Sequence, residues 1–309
     1  MSRQLGAPAI AVVLALALSA CGSSTSSAPG IPGRSAIFDY DASAPLRYVD
    51  RGRVNRRPYP IAVHDVSFSS AGRRVEGFLV LPPGRGRHPA VVFVHGSGAD
   101  RTELLVPAAW LAARNVVALT ITAPSTSAKT SASTPRALLA QARAVTVADV
   151  VAVRRAVDVL ASLRSVDPRR IGYLGFSAGA RLGALVAASE PRVRALALLS
   201  AGATRVSAYA AAAPPALRPQ VRRVLGSVDP IRYIAFARPG SLLLEDGRKD
   251  TIVPRSALLN IARAAPKGTP VRWYDAPHGL NRAAYRDAFA WLARKLPIEG
   301  QPVRGAATA

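Results

Sequence analysis

From residue 61 onward, short β-branched runs alternate with longer stretches in which apolar residues recur every three or four positions, and this alternation constrains the fold more than any other feature. Strands joined in series through helices pair in parallel, because each helix carries the chain back to the edge from which the previous strand started. Continuous apolar runs at 90–94, 116–121, 170–174, 195–199, 241–244 and 270–274 are what strands covered on both faces require. Segments 61–69 and 73–81 flank the turn formers Ser70, Ala71 and Gly72 and predict an initial hairpin. Helical spacing covers 103–114, 137–163, 178–188, 254–264 and 281–296. No repeat and no linker divides 61–297, so this stretch reads as one α/β domain with a mostly parallel sheet flanked by helices, followed by a C-terminal tail at 298–309. A polar loop at 122–134 and an Ala/Pro/Arg-rich insertion at 204–238 interrupt the alternation; the insertion reads as a surface helical excursion, with a lid as the alternative.

The chain is 50% hydrophobic and 19% charged, which rules out disorder. Its one long apolar run, 9–20, is too short for a bilayer core of about 30 Å, so a multi-span membrane protein is excluded. Arg3, the apolar stretch 10–18 and the small pair Ser19-Ala20 instead make 1–20 an export signal. Leu18-Ser19-Ala20-Cys21 resembles the bacterial lipobox, which implies lipidation of Cys21 and anchoring at the outer face of the cell membrane. Residues 22–35 are small, polar and rich in Pro and Gly, and the whole of 21–60 is read as anchor and flexible tether. Cys21 is the single cysteine, so no internal disulfide and no Cys-rich metal cluster can form.

Lys plus Arg number 41 against 18 acidic residues, a net charge of +23. Such a surface favours anionic head groups or envelope polymers at close range, although a solvated Arg-rich surface explains it as well. The basic residues are spread without interleaved aromatics, so nucleic acid is not an expected partner.

Gly175-Phe176-Ser177-Ala178-Gly179 follows a predicted strand and opens a predicted helix, which is both the lettering and the context of a G-x-S-x-G nucleophile elbow. A serine hydroxyl needs a base, and the base needs an orienting acid. Of the four histidines, His64, His88 and His95 all precede Ser177, and His278 alone comes late enough for the order Ser, acid, His. Asp250, just ahead of a predicted helix, is the preferred acid, with Asp246 and Asp275 as alternatives. Backbone donors for an oxyanion are expected from Ala178, after the nucleophile, and from Ser97 in the turn His95-Gly96-Ser97-Gly98. His95 is read as structural, because no second His or carboxylate stands at zinc-ligand spacing.

With HGSG, GFSAG, GRKD and APHG each following a strand, in that order, residues 61–297 resemble the α/β-hydrolase family, in particular its dienelactone hydrolase-like and bacterial serine esterase branch. The resemblance implies an eight-stranded, mostly parallel sheet with an antiparallel second strand and no cofactor or metal. It further implies Ser177 as nucleophile, Asp250 as acid, His278 as base, and Ser97 and Ala178 as oxyanion donors. Strict dienelactone hydrolases carry cysteine at the elbow where this chain has Ser177, which argues against dienelactone as substrate. The expected function is a lipid-anchored hydrolase of small acyl esters. Peptidase action, acyl transfer to an envelope glycan or lipid, and a non-catalytic envelope scaffold are the alternatives.

Overall fold

The computed structural model describes residues 36–54, 61–129 and 132–296. The export signal, Cys21 and the tail at 298–309 lie outside the described residues. The strands are β1 (Val49–Arg53), β2 (Ala62–Ser70), β3 (Arg73–Leu81), β4 (His88–Val94), β5 (Val117–Ile121), β6 (Val166–Phe176), β7 (Val193–Leu199), β8 (Leu242–Gly247) and β9 (Val271–Tyr274). They form one sheet in the order β1-β2-β3-β5-β4-β6-β7-β8-β9. Pairing is antiparallel from β1 to β5 and parallel from β5 to β9.

The helices are α1 (Leu105–Ala112), α2 (Pro135–Ser162), α3 (Ala178–Ser189), α4 (Val206–Ala212), α5 (Arg218–Gly226), α6 (Pro230–Ile234), α7 (Arg255–Ala264) and α8 (Arg282–Lys295). Central strands are covered on both faces, which explains their unbroken apolar runs. Along β4, Ala90, Val92 and Val94 enter the core shared with α2 and α3, whereas Val91 and Phe93 enter the core shared with α1 and α8.

After β4 the chain places β5 on one side and then returns to place β6 on the other. Strand order therefore reverses between β4 and β6, and in open α/β sheets the crevice beyond the carboxyl ends of such strands is where ligands bind. The turn after β4 is HGSG, and the turn after β6 is the serine elbow.

Two expectations are corrected. The described sheet has nine strands rather than eight, and the extra one, β1, falls inside the stretch assigned to the flexible tether. Its sequence, Val-Asp-Arg-Gly-Arg, has no buried residue, so it lacks the apolar signal by which the other strands announce themselves. Charge fixes it instead: Arg51 meets Asp65 at 2.8 Å and Glu76 at 2.5 Å, and His64 meets Asp50 at 2.9 Å. Ahead of it, the ring of fully buried Phe38 packs tilted against that of Tyr233, centroids 5.4 Å apart, so the folded domain already includes residues from 36. The insertion 204–238 is largely helical, with α6 packed on α3 and α5 on α2, and it buries Val221, Tyr233 and Ile234.

Candidate active site

The elbow is built by close approach. A Cβ on Gly179 would lie 2.1 Å from the carbonyl oxygen of Val94, and one on Gly175 would lie 2.5 Å from the backbone of Gly179. Side chains at either position would push α3 away from β4 and β6. Between them Ser177 adopts φ +52° and ψ −109°, a strained backbone for a non-glycine residue, held by its N–H donating to the Leu199 carbonyl at 2.8 Å. This strain lifts the hydroxyl off the end of the sheet.

Ser177 Oγ lies 2.9 Å from Nε2 of His278, and Nδ1 of His278 lies 2.7 Å from Oδ2 of Asp250. A carboxylate can only accept, so Nδ1 carries the proton and Nε2 presents its lone pair to the serine. Asp250 is oriented by its other oxygen, which accepts the N–H groups of Ile252 at 2.8 Å and Val253 at 2.9 Å. Its side chain is 1% exposed, which strengthens its pull on the imidazole. The ring of Phe176 packs 5.1 Å from that of His278 and covers one side of it.

The two alternative acids sit elsewhere. Asp275 is exposed and paired with Lys249 at 2.9 Å. Asp246 is buried and makes no ion pair with His278; burial, and secondarily the charge of Asp250, pushes its carboxyl up to about 7.

The HGSG turn leans on the elbow, with the Gly179 N–H donating to the His95 carbonyl at 3.0 Å. His95 itself is buried. Its Nε2 accepts from the Ala123 N–H at 2.9 Å and its Nδ1 donates to the Gly96 carbonyl at 2.7 Å, so both ring nitrogens are engaged with backbone. Glu103 holds the Gly96 N–H at 2.6 Å. Ser97, exposed at the tip of this turn, and Ala178, first residue of α3, keep N–H groups with no protein acceptor among the described residues. Among the described residues no trio of His, Cys, Asp or Glu could hold a metal ion.

Two further residues escaped sequence reading. Glu103 opens a stretch of helical spacing and carries no local signal of its task. Ser200, fully buried after β7, donates its hydroxyl to the His278 carbonyl at 2.7 Å; a small polar residue directly following a buried strand is the one hint the sequence offers.

Compared with known families, residues 53–211 match the model described as Esterase FrsA-like, which is 159 of the 309 residues. The chain belongs to the FrsA-like esterase family. As a FrsA-like esterase it is an ester-hydrolysing enzyme, and the matched stretch includes the HGSG turn and Ser177 but ends before Asp250 and His278. No curated protein matches its sequence. Among solved structures, the FrsA-like chain is similar to an acetyl xylan esterase from Paenibacillus, with TM-score 0.68 at 20% identity over 82% of this chain and 90% of that one. An acetyl xylan esterase from Thermoanaerobacterium gives TM-score 0.69 at 17% identity over 84% and 90%. A puromycin-hydrolysing peptidase from Mycobacterium tuberculosis gives 0.60 at 19% over 79% and 41%. At such identities the likeness is one of fold: an α/β sheet, mostly parallel, with helices on both faces.

Proposed function

We propose that this FrsA-like esterase is a serine hydrolase of carboxylic esters, acting through Ser177, His278 and Asp250 by way of an acyl-enzyme. The observation that carries this reading is the unbroken hydrogen-bonded relay from Ser177 Oγ through both ring nitrogens of His278 to buried Asp250. In the first half-reaction, Ser177 Oγ attacks the ester carbonyl carbon as its proton passes to Nε2 of His278. The tetrahedral oxyanion is received by the N–H groups of Ser97 and Ala178, the latter reinforced by the positive end of the α3 dipole. Collapse breaks the carbon–alkoxy bond, and the imidazolium returns the proton to the departing alcohol. Water then gives its proton to His278, attacks the acyl carbon, and releases the acid with Ser177 restored.

The substrate class is a small acyl ester, with no cofactor or metal required by the chemistry. The sequence of residues 18–21 supports a second part of the reading, that the enzyme is exported and held at the outer face of the cell membrane through lipidated Cys21.

A fluorophosphonate probe followed by mass spectrometry tests the catalytic part. A single adduct on Ser177, abolished by His278→Ala and slowed by Asp250→Ala, is the expected result. A folded chain that takes no adduct would overturn the serine mechanism and favour a binding scaffold.

A further inference from the structure

The Leu199-Ser200 pair at the end of β7 bonds to Ser177, to His278 and to the strand that precedes Asp250. The Leu199 carbonyl accepts the N–H of Ser177, the Ser200 N–H donates to the carbonyl of Glu245 at 2.7 Å on the strand that leads to Asp250, and the Ser200 hydroxyl donates to the carbonyl of His278. One dipeptide therefore sets the nucleophile, the acid strand and the base loop against one another. The loop around His278 is held by backbone as well, with the Leu280 N–H donating to the Pro277 carbonyl and the Lys249 N–H to the Ala276 carbonyl, both at 3.0 Å, but the Ser200 hydroxyl is the side chain that grips the carbonyl of His278 itself.

Ser200 adopts φ +56°, in the left-handed region that favours glycine, and is fully buried. Glycine would sit there with less strain and no buried hydroxyl to satisfy. Among the described residues the hydroxyl makes one hydrogen bond, to the His278 carbonyl. We infer that Ser200 is a positioning residue for the esterase reaction, keeping His278 within proton-transfer reach of Ser177. The inference rests on the Ser177–His278–Asp250 reading.

The role separates catalysis from stability in a way that a packing role does not. Ser200→Gly relieves the backbone strain and removes the donor, so the full chain is expected to melt at or above the wild-type temperature while kcat for a p-nitrophenyl ester falls tenfold or more, with KM within twofold. The rate of fluorophosphonate labelling at Ser177 falls by the same factor. Ser200→Thr keeps the hydroxyl on a β-branched frame that strains this backbone, so it is expected to lower the melting temperature while holding kcat within about threefold of wild type. Ser200→Ala behaves as the glycine variant does in rate, and these two decide the matter should the threonine variant fail to fold. A glycine variant with wild-type kcat and labelling rate overturns the role of Ser200 alone. A wild-type enzyme that forms no Ser177 adduct overturns the triad, and the positioning role with it.

Discussion

Glu245 is the residue whose environment departs furthest from that of a surface carboxylate. It is wholly buried, its Oε2 has no partner, and its Oε1 shares the Tyr274 hydroxyl, 3.0 Å away, with Asp287. One phenol proton cannot serve two carboxylates at once. Burial, opposed by the Tyr274 hydrogen bond and by Arg272 at 3.7 Å, pushes the Glu245 carboxyl up to about 8. Its folded value thus lies above the unfolded one, so the folded state holds a proton that the unfolded state has released. The associated stability is complete below about pH 4.5 and is lost as pH rises toward 8. Asp246, raised to about 7 by burial and by Asp250, has the same sign. Denaturant unfolding of the wild type should therefore show a loss between pH 5 and pH 8.5 of up to about 4 kcal/mol from Glu245 and roughly 2 to 3 kcal/mol more from Asp246. Glu245→Gln, which stays neutral, should lose markedly less. Equal slopes for the two proteins would refute the assignment.

At the level of elements, the join of β4, β6 and α3 tolerates almost no added volume. Gly179→Ala drives a methyl into the Val94 carbonyl, and relief requires moving α3 as a unit. The expected cost is about 3 kcal/mol or more, read as a fall in denaturation midpoint, with Ser177 labelling lost in whatever folds. An equally stable alanine variant would contradict the packing described for the elbow. This join was also the most legible part of the chain. The glycines, the strand before them and the helix after them are all written in local sequence, and so were the buried strands β4 to β8, because two covered faces leave continuous apolar runs. Asp250 over Asp246 and Asp275 was a preference that local sequence could not settle, since which carboxylate reaches a loop 28 positions onward depends on the path of the chain after β8. Strand β1 was invisible, because an edge strand held by Arg51, Asp65 and Glu76 has no apolar period to find. The helical character of 204–238 is legible but its boundaries are not: prolines at 214, 215, 219 and 230 break up the pattern, yet three of them stand in the first turn of a helix, where no N–H is needed.

At the scale of the whole molecule the protein is strongly cationic, and the proposed export signal and anchor rest on the sequence of residues 1–21. The full chain carries a net +23, with Arg supplying most of it. Anchoring through Cys21 predicts that the protein expressed in a bacterial host sediments with membranes and incorporates labelled palmitate, and that Cys21→Ala abolishes the incorporation and releases the chain from that fraction. Palmitate labelling that survives Cys21→Ala would remove the anchor from the proposal while leaving the esterase chemistry untouched. Among the described residues no helix is long and apolar enough to cross a membrane.

Strand β1 has a consequence at this scale too. Any open sheet ends in a row of unpaired backbone groups, which can recruit a strand from another molecule and begin an aggregate. Here the outermost row belongs to a five-residue strand with two arginines and an aspartate, interrupted by Gly52 at φ +93° and by a register shift between Asp50 and Arg53. The nine-residue β2 behind it, which buries Val63, Val66 and Phe68 in the core, is the longer strand that β1 covers. A short, charged and irregular border thus works as a fence, keeping this side of the sheet from taking up a strand of another copy.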